Sequence, residues 1–120
     1  MACYSAGMEE SFCPIHNAMD LLQQKWNLHI IRALLDSPHG FNELSRAVGG
    51  VNAATLSTRL DDLERRGLIF RTVESVMPPR TRYELTDAGR ELNGVVESIS
   101  KWAVNHPEAV ADEQPETAAG

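Results

Sequence analysis

Cysteine is scarce in this chain. Only Cys3 and Cys13 occur among its 120 residues, and neither lies in a CxxC pair, which excludes a disulfide framework and points to a reducing compartment. Long apolar runs are also absent, none approaching the roughly 20 residues that cross a bilayer. The opening stretch MACYSAGMEE has neither the basic start nor the apolar segment of an export signal. The expectation is a soluble cytoplasmic protein with no membrane association. No glycine-rich nucleotide loop, nucleophile motif or metal-hydrolase motif is present, so the chain reads as a non-enzyme with no cofactor. Internal repeats are missing, and the length suits one domain.

Positive charge is in deficit as well. With 11 Lys and Arg against 17 Asp and Glu, the formal charge is −6, which at first argues against a nucleic-acid partner, because phosphate binding draws on cationic side chains. The distribution along the chain weakens that objection. Residues 52–90 carry seven basic and six acidic side chains, whereas residues 91–120 carry one and six. A locally basic face can therefore meet DNA while the far end stays acidic.

What is present is helical periodicity. Pro14 is pre-organised for a first helical turn, and Ile15, Ala18, Met19 and Leu22 follow at helical spacing, which predicts a helix over residues 14–23. A second helix, over 27–35, has apolar residues on two faces and should be central. After the breaker cluster Ser37-Pro38-His39-Gly40, the residues Phe41, Leu44, Ala47 and Val48 predict a short amphipathic helix that ends at Gly49-Gly50. Asn52 is an N-cap for a helix over 53–66 whose buried stripe is Leu56, Leu60 and Leu63. Ala54, Thr58, Asp61, Asp62 and Arg65 project opposite that stripe, with Thr55 and Arg59 on its flank. Residues 68–74 and 81–85 alternate as two strands, joined by a loop over 76–80. Thr86 caps a last long helix with Leu92, Val95, Val96, Ile99, Trp102 and Ala103 on one face, and that face needs a partner. The organisation expected is a flexible leader (1–11), one domain (12–105) and an acidic disordered tail (106–120).

A short helix, a glycine turn, a longer helix with a polar outer face and a hairpin follow one another in the order of a winged helix-turn-helix, a mainly α fold with a small β-hairpin wing. In that geometry the helix over 53–66 enters the major groove by its N-terminal half, so that Asn52, Thr55, Thr58 and Arg59 reach base edges or phosphates. Arg80 and Arg82 sit on the wing beside the backbone or minor groove. Pro78-Pro79 stiffens the wing tip.

The residues also carry a specific pattern: Cys13-Pro14, Lys25-Trp26, FNEL at 41–44, Gly49-Gly50-Val51-Asn52, Leu56 to Leu60, Leu63-Glu64, Gly67-Leu68-Ile69, Pro78-Pro79-Arg80, Tyr83-Glu84-Leu85-Thr86, Gly89 and Trp102-Ala103. In this order they resemble the HxlR-type winged-helix transcriptional regulators, relatives of the MarR-like regulators, over roughly residues 12 to 104. The resemblance implies a homodimer, built from the first and last helices, that binds a pseudo-palindromic operator in double-stranded DNA and represses or activates nearby genes. It also implies sensing of oxidants or electrophiles through a cysteine just before helix one, the position of Cys13. Gly40 departs from the family pattern, which often has a basic or aromatic residue before Phe41, so a phosphate contact at that position does not carry over.

Alternatives stay open at several residues. Cys13 is either a thiol made reactive by the positive end of a helix dipole or an inert apolar cysteine at an interface. Cys3 is within chain reach of Cys13 as a resolving thiol. His16 shares a helix face with Cys13, but together they fall short of the four ligands of a structural zinc site. Asp61 and Asp62 oppose phosphate approach, and Arg65-Arg66 read as solvated charges near a helix end. Two further function classes compete with the sequence-specific regulator: a winged-helix protein-interaction module that no longer binds DNA, and a regulator whose signal is a small molecule held at the dimer interface.

Overall fold

The computed structural model describes residues 13–111. The leader with Cys3, and the tail from residue 112, lie outside the described residues. Helix α1 (Pro14–Gln23) starts where the Cys13 sulfur accepts the His16 N–H at 3.4 Å and Pro14 fills the first helical turn. Helix α2 (Asn27–Asp36) is the central element, burying Ile30, Ile31 and Leu34. A two-residue strand β1 (His39–Gly40) leads into α3 (Phe41–Val48), which buries Leu44. Gly49 (φ 72°) and Gly50 (φ 90°) then take left-handed conformations that favour glycine, turning the chain into α4 (Ala53–Arg65).

Strands β2 (Ile69–Val76) and β3 (Pro79–Leu85) pair antiparallel from Ile69 opposite Leu85 to Val76 opposite Pro79, with a bulge between Val73 and Ser75. β1 lies on the other edge of β3, His39 opposite Tyr83, so the sheet order is β1-β3-β2. The chain continues through α5 (Asp87–Arg90), α6 (Asn93–Asn105) and α7 (Pro107–Val110). The core joins α2, α3, α4 and the sheet: Ile30, Ile31, Leu34, Leu44, Leu56, Leu60, Leu63, Ile69, Tyr83 and Leu85 are all buried. Each fully buried leucine or isoleucine contributes roughly 1.5–3 kcal/mol by leaving water.

The first four predicted helices appear with boundaries shifted by at most a residue, and the fold is the expected mainly helical one with a small antiparallel sheet. The sheet differs from the expected hairpin in two ways. It has a third strand, hidden in the Ser37-Pro38-His39-Gly40 breaker cluster, because a two-residue strand has no periodicity to read. The expected loop over 76–80 contracts to Met77 and Pro78, so Arg80 stands within β3 opposite Ser75 and not in a loop. Pro79 tolerates this because the first residue of a strand can lack an N–H.

The last helix is also divided. Thr86 caps only α5, its hydroxyl accepting the Gly89 N–H at 3.2 Å. Leu92 then donates to the Gly89 carbonyl at 3.1 Å, three residues back, a tightened turn that brings Leu92 against the core before α6 begins. Pro107–Val110, expected to be part of the disordered tail, forms a helical turn. α1 and α6 contain no buried residue, and their apolar side chains Ile15, Met19, Val95, Ile99 and Trp102 are exposed.

Candidate nucleic-acid interface

Helix α4 is anchored by its apolar stripe, Leu56, Leu60 and Leu63, each at most 1% exposed. Its opposite face must therefore point outward, and Ala54, Thr58 and Asp61 are exposed there. Asn52 caps the helix, its side-chain oxygen accepting the Thr55 N–H at 2.8 Å. That bond satisfies one of the helix's four unpaired N–H groups and fixes the direction in which the N-terminal turn projects. Thr55 is half-buried beside it.

Arg59 does something the sequence did not suggest. Its Nε donates to the Lys25 carbonyl at 2.9 Å, tying the middle of α4 to the junction of α1 and α2. No sequence signal marks this bond, since its acceptor is a backbone carbonyl. Asp62 is likewise engaged: it pairs with Arg65, and its other oxygen receives Arg66 Nε at 2.9 Å. Arg65 and Arg66 are exposed, as expected of solvated charges near a helix end, and both also pair with Asp62. Asp61 stays exposed on the outer face.

On the wing, strand alternation puts Tyr83 and Leu85 into the core and Arg80, Arg82 and Glu84 on the other face. Arg80 is exposed. Arg82 is half-buried, its Nε donating to Glu74 at 3.0 Å and its Nη1 lying 4.0 Å from Glu43. Glu43 in turn accepts the Gly40 N–H at 2.8 Å. This bond holds the Glu43 carboxyl below the ordinary glutamate value of 4.5; desolvation opposes it, and the nearby Arg82, His39 and Arg46 reinforce it. The chain Gly40, Glu43, Arg82, Glu74 links the start of α3 to both wing strands. Gly40 itself lies close to β3, where an added Cβ would stand 3.3 Å from the Thr81 carbonyl oxygen.

The Tyr83-Glu84-Leu85-Thr86 and Gly89 pattern proves to be a joint, away from the exposed face of α4. Thr86 donates its hydroxyl to the Gly67 carbonyl at 2.6 Å and its N–H to the Leu68 carbonyl at 3.0 Å. The same hydroxyl receives the Gly89 N–H, so one side chain fastens the end of the sheet to the turn that follows α4. Burial pushes the Tyr83 hydroxyl's pKa up, with Arg71 beside it pulling the other way. The structure thus brings Asn52, Thr55, Thr58 and Arg59 onto one helix and its cap, with Arg80 and Arg82 on the sheet packed behind it. Cys13 stands apart from both, half-buried at the start of α1.

Known proteins share this arrangement of elements. The family model described as HxlR-like helix-turn-helix matches residues 21–111. The chain is 36% identical over 99 residues to the HTH-type transcriptional regulator sll1512 of Synechocystis sp., a match that covers 82% of this chain and 71% of that protein. It is 32% identical over 97 residues to the HTH-type transcriptional regulator YodB of Bacillus subtilis, covering 80% and 87%. The reduced form of YodB superposes with a TM-score of 0.72 at 31% identity, over 83% of this chain and 99% of that one. Its quinone-bound form gives 0.68 at 30% identity, over 78% and 99%. The redox regulator HypR in its reduced form gives 0.75 at 26%, over 82% and 97%. The chain belongs to the HxlR-like helix-turn-helix family of transcriptional regulators.

Proposed function

We propose that the protein is a homodimeric, sequence-specific DNA-binding regulator that reads a pseudo-palindromic operator and responds to oxidants or electrophiles through Cys13. The observation that carries the DNA reading is the exposed outer face of α4, presented by a fully buried leucine stripe and flanked by an arginine-bearing wing. The N-terminal half of α4 enters the major groove, where Asn52, Thr55 and Thr58 meet base edges or phosphates. Arg80 is the wing residue that contacts the sugar-phosphate backbone. Arg82, already paired with Glu74 and close to Glu43, holds the wing in place and adds the weaker contact.

The dimer reading is supported by the exposed apolar side chains of α1 and α6, including Ile99 at 48% and Trp102 at 51% exposure. A two-fold arrangement sets two α4 helices about 34 Å apart, on successive major grooves. The redox reading is supported by the relatives YodB and HypR and by the His16 N–H directed at the Cys13 sulfur. Hydrogen bonding to sulfur at the positive end of a helix favours the charged form that reacts with oxidants. A small-molecule signal has its own candidate seat, a groove of about 580 Å³ lined by α2, α3 and α6 with His39 of β1, including His29, Arg32, Asp36, Val48 and Val96.

The test is selection of genomic DNA fragments by the purified protein, with and without oxidant. A palindromic sequence should be enriched, and oxidant should reduce the enrichment for wild type and leave it unchanged for Cys13→Ser. An intact dimer that enriches no sequence at low salt would point instead to a protein-interaction module. Oxidant release that persists in Cys13→Ser would contradict the thiol reading.

A further inference from the structure

We infer that Arg59 is a positioning residue, whose guanidinium locks the recognition helix to the α1–α2 junction, and that it does not grip DNA phosphate. The consequence for DNA rests on the function proposed above, while the geometry stands independently of it. The Nε bond to the Lys25 carbonyl spans 34 positions of sequence. The residue after that carbonyl, Trp26, has φ 82°, the only positive φ outside glycine among the described residues. A tryptophan is disfavoured there, because its Cβ crowds the following carbonyl. Surrounding structure has to hold such a turn in place.

Contacts from several elements do hold it. The indole reaches the helix-turn-helix turn: a Cβ added at Gly50 would lie 3.6 Å from Trp26 Cη2. Lys25 Nζ sits 5.0 Å from the centre of the same ring. The next residue, Asn27, is fully buried and donates its amide to the Leu21 carbonyl of α1 at 2.9 Å. One short junction therefore touches the end of α1, the turn before α4 and, through Arg59, the middle of α4. The buried Leu56, Leu60 and Leu63 set the rotation of α4 about its own axis, and the Arg59 bond near its centre adds a polar tether to that setting. That rotation decides whether Thr55 and Thr58 face the groove. The junction is thus bonded to α1 through Asn27 and to α4 through Arg59, and it is the piece of chain that lies between the two helices.

A guanidinium used this way predicts a different signature from a phosphate contact. Arg59→Gln removes donor and charge, whereas Arg59→Lys keeps the charge and loses the planar fork. In salt titrations with the selected operator and with random duplex, both variants should lose about tenfold of the preference for the operator. Random-duplex binding and the slope of log affinity against log salt should stay as in wild type. In the protein without DNA, amide hydrogen exchange should quicken in both variants over residues 24–28 and 53–60. Thermal melts establish that each variant is folded, and either one alone suffices to read the outcome. A phosphate-contacting Arg59 would give the opposite: a slope reduced by about 0.9 in the Gln variant, restoration by Lys, and unchanged exchange without DNA. If wild type selects no DNA, the proposed function fails, while the exchange measurement still decides whether Arg59 holds the junction.

Discussion

At Gly89 the backbone passes so close to Leu68 that a Cβ would lie 2.2 Å from the Leu68 carbonyl oxygen and 2.8 Å from Leu85 Cδ2. The carbonyl cannot retreat without breaking its bond from the Thr86 N–H. Gly89→Ala should therefore destabilise the fold by at least the 1–3 kcal/mol typical of overpacking, read as a lowered urea midpoint with little change in slope. Glu43 makes a second residue-level prediction. Its carboxyl is held below the ordinary 4.5 chiefly by the Gly40 N–H, so its contribution is fully present above that value and is lost as pH falls through the lowered native one. Glu43→Gln should be less stable than wild type at neutral pH, and the two should converge in acid melts once the pH has fallen below the lowered native value. A gap that stayed constant down to pH 2 would contradict the linkage.

Among the elements, α4 has a buried inner face that carries stability and an exposed outer face to which the proposed function assigns recognition. Leu60 is 1% exposed on the inner face, and Leu60→Ala should cost about 2–5 kcal/mol in chemical denaturation. Thr58, exposed on the outer face, has no comparable packing to lose. This division was legible in the sequence, because a 3.6-residue period fixes which side chains share a face whatever lies beyond it. The alternation of Tyr83 and Leu85 with Arg82 and Glu84 was legible for the same reason. Features set by distant contacts were not. β1 is too short for a period, and the zipping of β2 and β3 down to Met77-Pro78 depends on pairing across the hairpin. The Arg59 bond to Lys25 joins residues with no sequence relation, so nothing in the order of residues announced it. The Tyr83 to Gly89 pattern was visible as a signature, while its role as a joint between Thr86 and the Gly67-Leu68 turn needed coordinates.

For the whole molecule, α1 and α6 leave apolar faces unburied among the described residues. Trp102 stacks on His106 with ring centres 4.8 Å apart, yet the indole remains 51% exposed. In a dimer formed through these faces, Trp102→Glu places a charge in an apolar interface. It should shift the protein from dimer to monomer in sedimentation equilibrium and weaken operator binding by far more than the loss of one contact, because the two half-sites would no longer be linked. A stable Trp102→Glu dimer would move the interface elsewhere.

The most direct test of the central claim, that the outer face of α4 and the Arg80 wing read duplex DNA as a symmetric pair, is a hydroxyl-radical footprint of the bound protein on its selected fragment. Two related protected segments, centred roughly one helical turn, about 10 base pairs, apart, are the predicted result. Arg80→Ala should weaken protection beside both segments equally. A single unrepeated segment, or protection indifferent to Arg80 and Thr58 alike, would contradict the claim.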